Sequence, residues 1–302
     1  MKPGDLGALL LLSALWGGSF LFIRVAAPVL GPLALAEARV GLAGLALLLY
    51  AVTTRRLPDL RARWRPLLVI GVINSALPFA LIMAAELRLS ASLAAILNAT
   101  SPLFGALVAA TWLGEALPAR KIAGLVLGAT GVAVLVGGSP LPRDGATALA
   151  VGASLLAALC YGCAAAYTKA RATGLPPLAL AVGSQLGASL VLLPLVPLAP
   201  PRAWPSGGVA LCVLALALLS TAVAYLLYFR LIVNVGPTRA LTVTFLTPLF
   251  GVTWGVLFLR EPVGPGTLLG GAIVLAGTAL VTGLLPRPAR VPASSVAPLA
   301  GE

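Results

Sequence analysis

The sequence predicts an all-α integral membrane protein with ten transmembrane helices, arranged as two inverted repeats of five helices each. Three observations support this fold class: an apolar composition, ten apolar runs of membrane-spanning length, and a similarity between the two halves of the chain. Hydrophobic residues make up 60% of the 302 positions and charged residues only 9%, with a mean hydropathy of +1.06. Soluble domains contain roughly 45–50% apolar and 25% charged residues, so a water-soluble fold is excluded.

Ten apolar runs have the length of a membrane span. Because lipid forms no hydrogen bonds with the backbone, the spans must be helices or a closed barrel, and long unbroken apolar runs favour helices. A helix needs about 20 residues to cross about 30 Å of hydrocarbon. Runs of this kind cover 6–26, 33–53, 66–86, 91–112, 120–138, 146–168, 177–198, 207–231, 238–259 and 264–285. The first run follows Lys2, as in a signal peptide, but its length predicts that it is retained.

Basic residues are concentrated on one side of the predicted membrane. That side receives both termini and the second, fourth, sixth and eighth connections, with Lys2, Arg55, Arg56, Arg61, Arg63, Arg65, Arg120, Lys121, Lys169, Arg171, Arg230, Arg239, Arg287 and Arg290. The other side carries only Arg24, Arg88, Arg143, Arg202 and Arg260. This bias predicts that both termini are cytoplasmic, in a bacterial or archaeal cell membrane. The net charge of +12 does not indicate nucleic acid, because the basic residues are dispersed through short loops.

The two halves of the chain resemble each other. At a shift of 146 residues, the segment 102–105 (PLFG) falls on 248–251 (PLFG), and Glu115 falls on Glu261. At a shift of 145, Trp16 falls on Tyr161 and Arg24 on Lys169. The predicted organisation is a first repeat at 1–138, a connecting loop at 139–145, a second repeat at 146–285 and a disordered cytoplasmic tail at 286–302. Five spans per repeat would invert the second copy, an arrangement typical of transporters.

Prolines at matching positions predict a hinge in each half. Pro102 and Pro248 lie within spans four and nine, and neither has an N–H for the carbonyl four residues earlier. The carbonyls of Asn98 and Thr244 therefore lose a helical partner. Polar residues beside the prolines either satisfy that backbone or face a ligand, and the sequence leaves both readings open.

Charged residues inside spans are candidates for function, since each costs roughly 2.5–3.5 kcal/mol to insert. Arg39 lies deepest and is predicted to attract a substrate carboxylate, with snorkelling to the interface as the alternative. Glu37 is expected to snorkel, and interfacial solvation is expected for Glu86 and Arg230 near span ends. In a chain without histidine, Glu37 and Glu86 are the candidates for proton coupling, which leaves proton exchange and facilitated diffusion both open.

Polar and aromatic residues within spans complete the predicted site. One helical face presents Trp16, Phe20 and Ile23, and the matching face of span six presents Tyr161, Ala165 and Thr168, with ordinary packing as the competing explanation. Trp112 and Trp254 are predicted in interfacial belts. The full set of predicted substrate-binding residues is Trp16, Arg39, Asn74, Asn98, Ser101, Tyr161, Gln185, Tyr225, Thr244 and Thr247.

Enzymatic chemistry is not expected. There is no histidine and no cluster of intramembrane carboxylates, and Cys160 and Cys163 form a CxxC without a redox-fold context. No catalytic residue, metal or cofactor is therefore predicted. Glycines in spans five and ten form small faces for close helix packing, and it stays open whether these spans contact each other or form a homodimer interface: Gly124, Gly128, Gly131, Gly270, Gly271 and Gly277.

Several segments resemble one known family. LWGGSFLFIR in span one and LSASLAAILNATSPLFGALVAATWLGEALPARKIAGLVLGATGVAVLVGG in spans four and five resemble the EamA-type family of the drug/metabolite transporter superfamily. VGPTRALTVTFLTPLFGVTWGVLFLREPVGPGTLLGGAIVLAGTAL repeats the pattern, so the resemblance extends to about residue 285. It implies a ten-helix carrier with a central cavity, moving amino acids, nucleosides, sugars, amines or xenobiotics.

The resemblance also assigns individual residues. Trp16, Arg39 and the segments around the two prolines match motif sites of the family, while Glu115 and Glu261 match helix-end acids with a structural role. The chain departs from the pattern where Tyr161 replaces a tryptophan, Gln185 stands opposite Arg39, and LRE replaces LGE. The predicted function is a secondary transporter, an exporter of small metabolites such as amino acids or related amphipathic compounds, working by alternating access. A channel and a membrane-embedded enzyme acting on lipids are the alternatives.

Overall fold

The computed structural model describes residues 1–56 and 59–284, apart from the side chains of 237 and 238. Every regular element within these ranges is helical. The predicted tail at 286–302, with Arg287 and Arg290, lies outside the described residues.

Within the described residues, ten helices of more than four residues follow one another closely along the chain, some with irregular segments. They are α1 Pro3–Leu30, α2 Pro32–Thr53, α3 Trp64–Ala85, α4 Ala91–Leu113, α5 Ala119–Gly137, α6 Gly145–Arg171, α7 Pro177–Leu198, α8 Gly207–Val235, α9 Val243–Leu259 and α10 Pro265–Thr282. Among the described residues, nine are long and apolar enough to cross a membrane, and α9 is a shorter apolar helix. The predicted ninth span differs because a separate turn, Pro237–Ala240, precedes α9.

Helix boundaries follow local sequence signals. Ser90 and Asp144 cap α4 and α6 by accepting hydrogen bonds from backbone N–H groups of the first turn. Gly31 and Gly114 end α1 and α4 with positive φ angles of 78° and 69°, which glycine adopts without steric strain. The starts and ends predicted from hydropathy therefore lie within a few residues of the observed ones.

Helices α3, α4 and α8 contain irregular segments, and two of these segments lie at positions that correspond between the halves. The third helix of each half contains a π-helical segment, Val72–Ala76 in α3 and Ala215–Val223 in α8. Helix α4 is interrupted after Asn98 and resumes at Ser101, just before Pro102. Segments of π-helix are rare in proteins, and those that occur often lie at functional sites. The two segments therefore direct attention to the centre of the bundle.

The loops collect at two ends of the bundle. At the end holding the amino terminus, called proximal here, Nδ2 of Asn234 donates to Oδ1 of Asp5 over 2.9 Å. At the opposite, distal end, the N–H groups of Arg202 and Ala203 donate to the carbonyl of Val29 over 3.1 and 3.2 Å. These contacts place α8 antiparallel to α1, as the predicted alternation of loops requires. The assignment of the proximal end to the cytoplasm stays a prediction.

The fifth helices of the two halves pack against each other through glycine. A Cβ atom on Gly277 would lie 2.6 Å from the backbone nitrogen of Gly128, and one on Gly131 would lie 2.6 Å from that of Val274. These distances leave no room for a side chain, so α5 and α10 approach backbone to backbone. The small faces therefore contact each other within one chain, whereas a homodimer stays a prediction.

Candidate functional site

A cavity of about 410 Å³ lies between the helices of both halves. Nine of the ten predicted substrate-binding residues and both hinge prolines line it: Trp16, Arg39, Asn74, Asn98, Ser101, Pro102, Tyr161, Tyr225, Thr244, Thr247 and Pro248. Phe20, Ile23 and Thr168 of the predicted faces line it too, whereas Ala165 is exposed. The predictions from sequence omitted several lining residues, among them Ser19, Phe79, Ser220 and Phe229.

Arg39 is the cation of the cavity wall. Its side chain is only 6% exposed, Nε donates to Oγ1 of Thr221 over 2.9 Å, and the guanidinium carbon lies 3.7 Å from the ring centroid of Phe79. No acidic residue within the described ranges forms an ion pair with it. Arg39 thus does not snorkel to an interface. It is held at its Nε, which leaves its terminal nitrogens without a carboxylate partner.

Gln185, the tenth predicted residue, lies behind the cavity wall. It is fully buried, and its Nε2 donates to Oγ of Ser75 over 2.9 Å. Gln185 is 146 residues after Arg39, and Thr221 is 146 residues after Ser75. The two hydrogen bonds are therefore counterparts, each running from the second helix of one half to the π-helical segment of the other. One donor is charged and the other neutral, so the two halves are chemically unequal.

Aromatic side chains form a wall between α1 and α8. The rings of Trp16 and Tyr228 lie 5.3 Å apart, and those of Tyr225 and Phe229 lie 5.9 Å apart. Nδ2 of Asn74 donates to Oη of Tyr225 over 3.1 Å, which fixes that ring from α3. Phe79 and Phe229 were not predicted from sequence, because a phenylalanine in an apolar span looks the same whether it lines a cavity or packs in a core.

The hydroxyl groups of Ser101 and Thr244, near the two hinge prolines, donate hydrogen bonds to backbone carbonyls. Oγ of Ser101 donates to the carbonyl of Asn98 over 2.6 Å, the acceptor that Pro102 leaves free. In the second half, Oγ1 of Thr244 donates to the carbonyl of Leu241 over 2.8 Å. Both readings left open by the sequence therefore describe Ser101, which also lines the cavity. Thr244 lines the cavity too, but the Leu241 carbonyl that it binds is not the one that Pro248 leaves free. Oδ1 of Asn98 is buried without a hydrogen-bond partner.

The two candidate acids lie outside the cavity lining. Oε1 of Glu37 accepts a hydrogen bond of 2.5 Å from Oγ of Ser189 in α7. Glu86 is fully buried, neither carboxyl oxygen has a hydrogen-bond partner, and its backbone carbonyl accepts from the guanidinium of Arg24. The expectation of interfacial solvation was wrong for Glu86, because neighbouring helices cover this span end. Arg230 is exposed, as expected.

The two tryptophans assigned to interfacial belts differ. Trp112 is 53% exposed, as a belt residue should be. Trp254 instead packs on α1, where its Nε1 donates to the carbonyl of Ala14 over 3.1 Å. Its prediction as an interfacial residue was wrong, since the close contact of α1 with α9 places this ring inside the bundle.

The cavity is closed at its distal end. Ile23 belongs to one buried core cluster with Met83 and Ala91, which are fully buried, and Leu89, two residues before Ala91, is fully buried as well. Towards the proximal end, the lining residues Thr168 and Leu180 remain partly exposed. The site is therefore a chamber that extends towards the proximal end and is sealed from the distal one.

Known proteins share this sequence pattern and fold. A model of the EamA-like transporter family matches residues 3–137 and 148–283. The chain is 28% identical over 279 residues to the "Probable terminal-alkyne amino-acid exporter" of Streptantibioticus cattleyicolor, covering 91% of this chain and 92% of that one. It is 27% identical over 283 residues to the uncharacterized inner membrane transporter YedA of Escherichia coli K12, covering 91% and 90%. A crystal structure with 20% identity superposes with a TM-score of 0.67, over 94% of this chain and 98% of the other, a likeness of fold alone.

Proposed function

Because the chain belongs to the EamA-like transporter family, we propose that it exports small carboxylate-bearing metabolites, such as amino acids, by alternating access. The single observation that carries the substrate class is Arg39, a buried cation in the cavity wall with no acidic partner among the described residues. A buried charge without a counter-ion is unfavourable, and a substrate carboxylate would supply one.

The cavity lining as a whole suits a ligand that has one anionic group for Arg39 and a polar or apolar portion for the other lining residues. A guanidinium forms two parallel hydrogen bonds with a carboxylate, which fixes the ligand's orientation. The aromatic wall around Trp16 and Tyr228 offers apolar surface to the rest of the molecule. A volume of about 410 Å³ suits a metabolite rather than a polymer. One of the relatives carries an amino-acid exporter's name, which supports this class and the direction of transport.

The repetition supports alternating access. The matched π-helical segments, the matched prolines and the counterpart hydrogen bonds of Arg39 and Gln185 are what two inverted copies around one site would produce. In such a carrier one copy rocks against the other, and the cavity opens to each side in turn. A channel and a lipid-modifying enzyme, the alternatives predicted from sequence, are not favoured by the family.

Coupling to protons is a separate step of the proposal. Glu37 is bound to Ser189, and Glu86 is sealed at the distal end. If a proton is exchanged, Glu86 is the group that carries it, because distal opening would expose it to water. Reconstitution under an imposed pH gradient decides the point: uphill substrate accumulation requires coupling, and equilibration alone indicates facilitated diffusion.

The decisive experiment compares matched substrates. Proteoliposomes are loaded with an amino acid or with the amine that lacks its carboxylate, and saturable flux is measured for wild type, Arg39→Gln and Arg230→Gln. Arg230 is an exposed arginine, so its loss controls for charge and expression. We expect Arg39→Gln to weaken half-saturation for the amino acid about tenfold or more, as for loss of a charge-assisted pair, with little effect on the amine. If the amino acid and the amine show the same flux as each other, and this flux is the same in wild type and in Arg39→Gln, the proposal is contradicted.

A further inference from the structure

At the distal end, the carboxylate of Glu261 in the second half of the chain binds the start of α4 in the first half. Glu261, two residues after α9, accepts hydrogen bonds from the backbone N–H groups of Ala91 and Ser92 over 2.7 and 3.0 Å. Oε2 also accepts 2.6 Å from Oγ of Ser92. The first N–H groups of a helix have no intrahelical acceptor and attract negative charge, so Glu261 stabilises the start of α4. A Cβ on Gly255 would lie 2.5 Å from Oε2 of Glu261 and from Oγ of Ser92, so this contact needs glycine there.

Glu115, the counterpart of Glu261, has the same backbone and a different partner. The N–H of Glu261 donates to Gly255 over 3.1 Å, and that of Glu115 donates to Ala109 over 3.1 Å. Each acid follows a residue in the left-handed conformation, with φ of 53° at 260 and 69° at 114. Yet Oε1 of Glu115 accepts 2.7 Å from Nζ of Lys169. The local backbone is therefore not the cause of the difference. The two acids differ in the groups that lie close to them, which are the start of α4 at the distal end and Lys169 at the proximal end.

Lys169 itself has a counterpart at the distal end. It matches Arg24 at the shift of 145 residues. Arg24 does not contact Glu261; its guanidinium donates to the backbone carbonyl of Glu86. At the proximal end, Glu115 of the first half is thus paired with Lys169 of the second half. At the distal end the same two residue types are separated, and the acid holds a helix terminus.

We propose that Glu261 is an exchangeable latch, which binds the start of α4 when the distal end is closed and pairs with Arg24 when it opens. The Glu115–Lys169 pair shows at the proximal end the arrangement that Glu261 and Arg24 adopt in the second state. The inference rests on the proposed function, since only alternating access requires two states. The helix start compensates the carboxylate by hydrogen bonds and partial positive charge, and Arg24 would compensate it by a full charge, so the latch opens without leaving the carboxylate unpaired.

A conformational measurement without substrate tests the latch. In a background in which Cys160, Cys163 and Cys212 are alanine, spin labels are placed by Arg88→Cys before α4 and Val263→Cys after α9. The full chain in lipid nanodiscs gives a distance distribution across the distal end. We expect one short distance in wild type and about tenfold more of a longer population in Glu261→Gln, the size of a lost cap. Ser92→Ala should shift the distribution less and in the same direction.

Two further variants separate the latch from general loosening. Glu115→Gln removes the counterpart acid at the proximal end and should leave the distal distance unchanged. Arg24→Gln removes the second partner and should reduce the longer population of the Ser92→Ala variant, in which Glu261 is intact. An unchanged distribution in both Glu261→Gln and Ser92→Ala would overturn the latch, and a larger open population in Arg24→Gln would overturn the exchange. Because no substrate is present, a protein that latches yet transports no amino acid would refute the proposed function alone.

Discussion

Nε of Arg39 donates a 2.9 Å hydrogen bond to Oγ1 of Thr221, which joins α2 of the first half to the π-helical segment of α8 in the second. Oγ1 of Thr221 in turn donates 2.9 Å to the carbonyl of Leu216, five residues earlier within the π-helical segment Ala215–Val223. The irregular turn therefore positions the acceptor that orients the guanidinium. The orientation of the Arg39 side chain in the cavity therefore depends on the π-helical segment of the other half of the chain.

Thr221→Val tests this orientation, since it removes the hydroxyl and keeps the shape. Hydrogen bonds to charged groups contribute about 1.5–3 kcal/mol, so we expect carboxylate binding to weaken roughly tenfold as Arg39 loses its fixed direction. Half-saturation of amino-acid flux is the measurement. Ser75→Ala is the matched control, because it removes the counterpart acceptor of neutral Gln185. A loss as large in Ser75→Ala as in Thr221→Val would show that the hydroxyls matter for packing alone.

Gly131→Ala tests the contact between α5 and α10. Its Cβ would lie 2.6 Å from the backbone nitrogen of Val274, and overpacking of a close contact costs typically 1–3 kcal/mol. We expect a lower midpoint of thermal unfolding in detergent. Gly137→Ala in the same helix is the control, because nothing lies within 4 Å of its Cβ. Equal midpoints for the two variants would contradict backbone contact between these helices.

Glu86→Gln and Glu37→Gln should act in opposite directions. Glu86 is fully buried with both carboxyl oxygens unpartnered, so an uncharged amide of the same shape is at least as stable in its place. Glu37 accepts a 2.5 Å hydrogen bond from Ser189; the amide oxygen of glutamine accepts it without the assistance of a charge, so Glu37→Gln should cost about 1 kcal/mol. Thermal midpoints at neutral pH report both. A large loss of stability in Glu86→Gln would mean that its carboxylate has a partner in the membrane.

Sequence reasoning located the spans and most of the cavity wall. Helix positions follow from apolar run length, and the face of Trp16, Phe20 and Ile23 follows from helical periodicity, because both are local properties. The repeat shift also related Gln185 to Arg39 before any contact was known. Span-end position was a poor guide for Glu86, since its burial depends on which other helices cover it.

The π-helical segments and the interhelical partners were not predictable from one sequence. Ser75 and Thr221 look like ordinary small polar residues in apolar runs, and their importance comes from the donors on α7 and α2 that reach them. The same holds for Glu261, which the family resemblance marked as a helix-end acid without naming the helix it binds. Tertiary packing selects among partners that local pattern leaves equivalent.

The proximal pair of Glu115 and Lys169 makes a prediction about pH. The hydrogen bond from Lys169 holds the pKa of the Glu115 carboxyl below its usual value. A carboxyl with a lowered pKa in the folded state contributes its stability above the unfolded-state pKa and loses it as the pH falls through the folded-state pKa. The thermal midpoints of wild type and Glu115→Gln should therefore differ at neutral pH and converge in acid.

The difference at neutral pH should be small and sensitive to salt. The Lys169 side chain is 68% exposed and that of Glu115 is 35% exposed, so solvent screens the pair and its worth is a few tenths of a kcal/mol at most. Adding salt to 1 M should abolish most of it, because the screening length falls to about 3 Å. Oε2 of Glu115 also lies 3.8 Å from Nζ of Lys121, so Glu115→Gln should lower the midpoint at least as much as Lys169→Gln. Adding Lys169→Gln to Glu115→Gln should change little, because the pair that they share is already broken. A midpoint difference that persists in acid or at high salt would show that Glu115 stabilises the proximal end by a contact other than this ion pair.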